Sequence, residues 1–323
     1  MLKYILKRLL MMIPVILCVA ILVFTIIYFT PGDAAQVVAG QGTPAEKLDE
    51  LRESMGLNDP YFVQLGRYLH QVFVKLDLGT AMVNKTSITS DMQARFPYSM
   101  TLALIGIAFA ICVGIPLGVY SALHQNKVGD RIAVVVSMLG VSVPHFWLAL
   151  MLILLFSVKL GWLPAYGVGG IAYWIMPIIA NCVGGMATTA RQTRSSMLEV
   201  IHCDYIVTAR SKGLKQSQII LRHMLPNALI PIITVTGMNF GGMLGGGLII
   251  EQIFTIPGVG FYLTKGITQR DYYAVMGGVI LLSVAFSVIM LATDLIQAFV
   301  DPRIKAQYAG DVKRRRKPHA REA

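Results

Sequence analysis

The stretch 191–226, RQTRSSMLEVIHCDYIVTARSKGLKQSQIILRHMLP, lies between two long runs that contain no Asp, Glu, Lys or Arg. The run before it covers residues 160–190, and the second run covers residues 223–250 and so includes the last four residues of the stretch. The stretch itself carries six basic side chains: Arg191, Arg194, Arg210, Lys212, Lys215 and Arg222. Because the roughly 30 Å core of a bilayer excludes charge and takes about 20 apolar residues per helix, this pattern predicts a polar turn between two membrane-spanning helices.

The rest of the chain repeats this alternation. Of its 323 residues, 55% are hydrophobic and 14% are charged, whereas a soluble domain carries about a quarter charged residues. Six apolar runs are long enough to span a bilayer, so we predict an all-α membrane protein with six transmembrane helices. The runs are residues 9–30, 101–123, 132–158, about 172–190, 223–250 and 272–293.

The first run follows three basic residues, as the apolar part of a signal peptide does. It has 22 residues, whereas the apolar part of a signal peptide has about 7–15. No small-x-small cleavage site follows it. We therefore interpret the run as a retained first transmembrane helix.

The distribution of Lys and Arg predicts the orientation of the chain. With the N-terminus in the cytoplasm, cytoplasmic segments hold nineteen basic residues and the short outer loops hold three. We predict that both termini are cytoplasmic and that residues 301–323 form a basic cytoplasmic tail. The net charge of +11 could also indicate nucleic-acid binding, but no basic stripe with interleaved aromatics is present, so we expect no nucleic-acid partner.

This pattern divides the chain into segments. Residues 1–30 contain the first helix, residues 31–98 are predicted to be an extracytoplasmic loop subdomain, and residues 99–300 the five-helix core. The long loop contains one amphipathic stretch at 48–57 that ends near Gly56 and reads as a short helix.

Within the turn at 191–226, the residues predict two short helices joined at a glycine. Asp204 is a suitable N-cap for a helix over residues 205–212, and Gly213 stands where a left-handed conformation is needed. A second helix over residues 214–225 is predicted to stop at Pro226. Such an elbow can fill a cleft on a cytoplasmic partner.

The sequence carries no motif for catalysis or nucleotide binding. The pattern GxxxxGK[ST] is absent, as are Ser/His/Asp and HExxH arrangements. The four cysteines form no CxxC pair and predict neither a zinc site nor a disulfide framework. We therefore expect no catalytic residue, no bound metal and an energy source outside this chain. A self-sufficient channel or secondary carrier is disfavoured because no apolar run contains Asp, Glu, Lys or Arg.

Three polar side chains in the apolar runs are candidates for a substrate path: His145, Asn181 and Asn239. Each has a packing alternative. His145 could bond a backbone carbonyl left free by Pro144, and the two asparagines could join neighbouring helices. The glycines at 241–247 indicate either close helix packing or flexibility for gating.

The segments DYIVTARSKGL at 204–214 and LRHMLPNA at 221–228 resemble the cytoplasmic "EAA" loop of ABC importer permeases. That loop reads Glu-Ala-Ala, three residues, Gly, nine residues, then Ile-x-Leu-Pro. The positions that match it are Ala209, Gly213, Leu225 and Pro226, and those that depart from it are Val207, Thr208 and His223. The departures are similar to the form favoured by the dipeptide/oligopeptide/nickel subfamily.

Further stretches resemble that subfamily along nearly the whole chain. They are the basic start at 1–8, PGD at 31–33, LDLG at 76–79, GVSVPHFW at 140–147, ExIFxxPGxG at 251–260 and DPR at 301–303. The long first outer loop is similar to that of the B-type permease, which is usually paired with a different, C-type permease.

The resemblance implies one half of the pore of a type I importer in a bacterial or archaeal plasma (inner) membrane. A second, different permease, two cytoplasmic ABC ATPases and an extracytoplasmic substrate-binding protein are its implied partners. ATP and Mg would be bound by the ATPases and no cofactor by this chain, which is therefore not an enzyme. Di- and oligopeptides are the implied substrates, with nickel or a metal chelate as the alternative.

The resemblance also assigns roles to residues. Contact with the ATPase is implied for Asp204, Ala209, Arg210, Lys212, Gly213, Leu225 and Pro226. A role in an outer gate or loop is implied for Glu251, Pro257 and Gly258.

Overall fold

The computed structural model describes residues 2–40 and 42–300, and these residues form helices and no β-sheet. The predicted basic tail at 301–323 lies outside them. The helices are α1 (Leu2–Phe29), α2 (Ala34–Ala39), α3 (Ala45–Ser54), α4 (Tyr61–Leu69), α5 (Ile88–Leu123), α6 (Val128–Ser142), α7 (His145–Leu152), α8 (Ile171–Ile201), α9 (Asp204–Ser211), α10 (Gln216–Gln218), α11 (Leu225–Ile253), α12 (Val259–Gln269) and α13 (Tyr272–Val300). Three π-helical turns continue α4, α7 and α10, at His70–Val74, Ile153–Lys159 and Ile219–Met224.

Among the described residues, five helical segments are long and apolar enough to cross a membrane, and a bent pair can supply a sixth crossing. The five are Ile5–Phe29, Ile88–Leu123, Ile171–Ile201, Gln216–Ile253 and Tyr272–Val300. This confirms the predicted all-α membrane architecture. The helices extend beyond the apolar runs, so the boundary predicted at residue 98 falls inside α5, and residues 191–201 of the predicted turn belong to α8.

The third predicted span is not one straight helix. The segments Val128–Ser142 and His145–Lys159 meet at an angle of 99°. Pro144 has no N–H to give the helix, and its ring forces the preceding residue out of the helical region. Val143 accordingly has φ −76° and ψ 122°. The single helix expected over 132–158 is therefore wrong.

The centre of the bundle is the contact of α5 with α8. Small residues let these helices approach closely, because a Cβ placed on Gly114 would lie 2.8 Å from the backbone oxygen of Met186. In the glycine run at 241–247, a Cβ on Gly241 would meet the ring of Phe286, but one on Gly242, Gly245 or Gly246 would meet nothing within 4 Å. Close packing thus accounts for one glycine of this run and leaves those three unexplained.

A buried ion pair joins three helices at one end of the bundle. Asp130, in the first turn of α6, is 2% exposed and accepts two hydrogen bonds from the Arg194 guanidinium of α8, at 2.7 and 2.9 Å. The hydroxyl of Ser121 on α5 and the N–H of Asn126 also donate to this carboxylate. Together these donors stabilise the charge of the Asp130 carboxylate, because a charge buried in a low-dielectric interior is costly unless it is paired and hydrogen-bonded.

The ends of the described helices show which segments share a face of the bundle. Ala122, at the end of α5, packs with Ile206 of α9, while Ile88, at the start of α5, lies beside Gly277 near the start of α13. The far end of α13 is joined to the first helix by the ion pair of Arg8 with Asp294, at 2.7 Å. The start of α1, the end of α13 and the elbow at α9 therefore lie on the same face.

Replacing Arg194 by alanine is predicted to destabilise the protein by about 3–5 kcal/mol, because it leaves the buried Asp130 carboxylate without its charged partner. The midpoint of thermal unfolding in detergent measures the effect. Arg191→Ala, on the exposed side of the same helix, is the control and should leave the midpoint unchanged. The double variant Asp130→Asn/Arg194→Ala should unfold at a higher temperature than Arg194→Ala, and a lower midpoint would contradict the account.

Candidate functional site

The elbow predicted from the sequence is present. Helix α9 follows α8 after two residues, and Cys203 holds its N-cap position with φ −73° and ψ 143°. The expected N-cap is thus displaced by one residue, and Asp204 is the first residue of the helix. In that position its carboxylate still lies at the positive end of the helix dipole.

Gly213 turns the chain between the two arms of the elbow. Its φ is +74°, a conformation that side chains other than glycine rarely adopt. Its N–H donates to the Arg210 carbonyl at 2.9 Å, which closes the end of α9. A Cβ at this position would meet nothing within 4 Å, so the need for glycine is conformational rather than steric.

The second arm does not stop at Pro226, and this prediction was wrong. Residues Gln216–Ile253 form one helical segment that passes through the proline. The π-helical turn Ile219–Met224 precedes it, with the Leu225 N–H bonded to the Ile220 carbonyl. A π-helical turn changes the spacing of the backbone hydrogen bonds, so the helix can continue past a proline, which has no N–H to donate. The elbow and the following transmembrane helix are therefore continuous.

One face of α9 is seated on the bundle. Ile206 and Ala209, three residues apart on the helix, are 0% and 6% exposed. The cluster that holds them comprises Ala122, Met197, Val200, Ile219, Met224, Ala228 and Ile232. The sequence analysis missed Ile206, although the apolar pair at this spacing indicates a buried face.

The opposite face of the elbow is open. The exposed members of the predicted coupling set are Asp204, Arg210, Lys212, Gly213 and Pro226, and Leu225 is half-buried. Apolar side chains are exposed among them, with Val207 at 54% and Leu221 at 64%. The charged side chains of this face are Asp204, Arg210 and Lys212. A seated helix with a mixed basic and apolar outer face is suited to docking, not to bond chemistry.

The three polar side chains proposed for a substrate path differ in their surroundings. The amide of Asn239 donates to Gly185 O, Thr188 Oγ1 and Thr189 Oγ1 at 2.9–3.2 Å, so it joins α11 to α8. His145 is exposed, and its ring lies against Gly184 of α8. Asn181 is 1% exposed, and neither atom of its amide has a partner among the described residues. His145 and Asn239 both contact α8 within residues 184–189, and Asn181 lies on the same helix one turn before them.

The residues assigned to an outer loop do converge. Glu251, near the end of α11, is 1% exposed, and its carboxylate accepts from the Phe261 N–H at 3.0 Å. A Cβ on Gly258 would clash with this carboxylate, so the glycine is required for its close approach. The Val259 N–H donates to Ser99 Oγ at 2.8 Å, which joins the start of α12 to α5. Pro257 is half-buried in the turn that leads into α12.

Comparison with known proteins gives matches along most of the chain. The family profile described as "Binding-protein-dependent transport system inner membrane component" matches residues 114–306. A profile for the N-terminal part of the same membrane component matches residues 1–103. Together they include α9 and both sides of the elbow.

Two relatives match over nearly their full length. The chain is 38% identical to the dipeptide transport system permease protein DppB of Alkalihalophilus pseudofirmus, over 94% of this chain and 100% of the relative. It is 36% identical to the glutathione transport system permease protein GsiC of Salmonella paratyphi A, over 94% of this chain and 99% of the relative.

A solved structure has the same fold. It is the MetNI methionine ABC transporter in inward-facing conformations, with a TM-score of 0.54. The match covers 65% of this chain and 96% of that chain, at 19% sequence identity. At this identity the likeness shows the fold alone.

Replacing Ile206 by alanine is predicted to loosen α9, because it removes buried methyl groups from the seat of the elbow at a cost of about 2–5 kcal/mol. Trypsin should then cut after Arg210 and Lys212 several times faster than in the wild-type protein, as read by peptide mass spectrometry. Val207→Ala, at the exposed neighbouring position, should leave the cleavage rate unchanged. Equal rates for the two variants would show that Ile206 does not seat the helix.

Proposed function

We propose that this chain is the permease subunit of an ATP-driven importer of di- and oligopeptides. The premise is that the chain belongs to the binding-protein-dependent transport system inner membrane component family. The chain is a multi-pass inner-membrane protein and a transport component. The observation that carries the substrate class is full-length similarity to relatives whose names give a dipeptide and glutathione, which is itself a peptide.

The proposal includes partners that the family implies. Two cytoplasmic ATPases bind ATP and Mg and supply the energy, and an extracytoplasmic binding protein delivers the peptide. A second, different permease completes the pore, as the similarity of the long first outer loop to B-type permeases suggests. With both termini in the cytoplasm, the elbow faces the ATPases, since it lies on the same face as the start of α1 and the end of α13.

The elbow is the proposed contact with the ATPase. Its outer face offers Arg210 and Lys212 for polar contacts and Val207 and Leu221 for apolar ones, while Ile206 holds it to the bundle. ATP binding closes the ATPase dimer and moves the elbow. The helix bundle then changes from the inward-open to the outward-open conformation. ATP can drive this change only through its different affinity for the two states.

Gly213→Val is predicted to abolish substrate-stimulated ATP hydrolysis by the assembled complex, because a β-branched residue cannot hold the left-handed turn without strain of roughly 1–2 kcal/mol or more. Gly213→Asn is the matched control, since asparagine tolerates this conformation, and it should retain most of the stimulation. Unchanged stimulation in a Gly213→Val complex that still assembles would remove the elbow from the coupling mechanism.

The substrate class is tested by ATP hydrolysis in the complex reconstituted with its ATPases and binding protein. Dipeptides and oligopeptides are expected to stimulate hydrolysis, whereas free or chelated nickel is expected not to. Stimulation by the nickel species alone would assign the importer to the metal branch of the subfamily. Transport by the chain alone in vesicles without ATPases would instead identify a secondary carrier.

A further inference from the structure

The segment after α3 turns back along the transmembrane helices. Helix α4 packs against the last turns of α1, where Tyr61 Oη lies 2.7 Å from Thr25 Oγ1 and the Tyr68 ring stacks on Phe24 at 5.3 Å between centroids. The π-helical turn His70–Val74 continues in the same direction and buries Val72 against Ala20 of α1 and Ile280 of α13.

The two transmembrane helices give the depth of this contact. The charge-free part of α1 starts after Arg8 and ends at Phe29, and that of α13 starts at Tyr272 and ends before Asp294. Each part has a length of roughly 32 Å at 1.5 Å per residue, which matches the hydrocarbon core. The ion pair between Arg8 and Asp294 places the start of the charge-free part of α1 and the end of that of α13 at one boundary of the hydrocarbon core. Phe29 and Tyr272, at the opposite ends of these parts, therefore mark the other boundary.

From that second boundary, the depth of Val72 follows by counting residues. Ala20 lies nine residues before Phe29, and Ile280 lies eight residues after Tyr272. The two distances correspond to about 12–14 Å along a helix. Two independent helices thus place Val72 at the same depth, within the leaflet at which α1 ends.

We propose that residues 61–78 form a re-entrant segment that enters this leaflet and contacts lipid acyl chains. Its most exposed apolar side chains are open, with Phe62 80% and Val74 68% exposed, and the basic side chains Arg67, His70 and Lys75 are exposed as well. This surface continues the exposed face of α1, where Leu22 and Ile26 are 57% and 58% exposed. The rings of Phe29, Tyr61 and Phe62 connect the two surfaces without a polar gap.

Of the polar side chains of the segment, Arg67 and Asp77 have hydrogen-bond partners, whereas the buried hydroxyl of Tyr68 has none among the described residues. Backbone that is not helical is tolerated at membrane depth only against protein or a water-filled cavity. The Asp77 carboxylate accepts from the Gly79 N–H at 3.0 Å and from Thr89 Oγ1 at 3.2 Å, which closes the turn after the segment.

The side of the segment that faces away from lipid borders a cavity of about 660 Å³. Gln64 and Gln71 line it from the segment, and the ion pair of Asp33 with Arg52 lines it from the outer loop. Arg52 holds the pKa of the Asp33 carboxyl below its usual value, so the pair stays ionised at neutral pH. The segment therefore separates an exposed, largely apolar surface from a cavity whose lining is both polar and apolar.

Nitroxide labels in the full chain, purified with its copurifying subunits and placed in phosphatidylethanolamine/phosphatidylglycerol vesicles, test the proposal. The exposed cysteines Cys18 and Cys112 and the half-buried Cys203 are replaced by alanine, and the buried Cys182 is kept. Phe62→Cys and Val74→Cys are labelled, and both sites are exposed, so labelling requires no repacking. Glu46→Cys, on the exposed surface of α3, is the matched control.

Labels at 62 and 74 are expected to collide more with oxygen than with the water-soluble nickel complex NiEDDA, with the larger ratio at 74, and the label at 46 to show the reverse. Collision mainly with NiEDDA at 62 and 74 would place the segment in water and overturn the proposal. Protection from both reagents would also overturn it, because the surface would then be covered by another subunit.

Discussion

A polar group inside a bilayer must find its hydrogen-bond partner within the protein. This constraint accounts for the contacts of Asp130 and Glu251, which lie at the ends of helices. Asp130 receives four donors from three separate segments. Glu251 accepts a hydrogen bond from the Phe261 N–H in the first turn of α12. Each of these charges stands where a helix enters or leaves the bundle, so satisfying it also fixes the position of a neighbouring helix.

Local features of the sequence predicted the parts of the fold that depend on local physics. Charge-free runs of suitable length located the spans, and Gly213 located the elbow because its backbone conformation favours one residue type. Pro144 did bend the third span, but neither the angle nor the break itself was expected. Whether a proline stops a helix depends on the turn before it, and the π-helical turn at 219–224 carried the helix through Pro226.

The parts that could not be predicted depend on contacts between distant residues. Asp130 and Arg194 are 64 positions apart, and a count of basic residues treats Arg194 as a topology signal only. The seat of α9 and the re-entrant course of residues 61–78 likewise depend on which helices become neighbours. Asn239 and Asn181 were alike in sequence, yet among the described residues the amide of Asn239 makes three hydrogen bonds and that of Asn181 makes none.

The continuity of Gln216–Ile253 has a mechanical consequence. This segment has 38 residues and a length of about 57 Å. It starts in the second arm of the elbow and ends beside the Glu251 contact with α12. A rigid rod of this length that tilts by about 5° displaces its far end by about 5 Å. One continuous helical segment therefore links the elbow at one membrane face to the Glu251 contact at the opposite face.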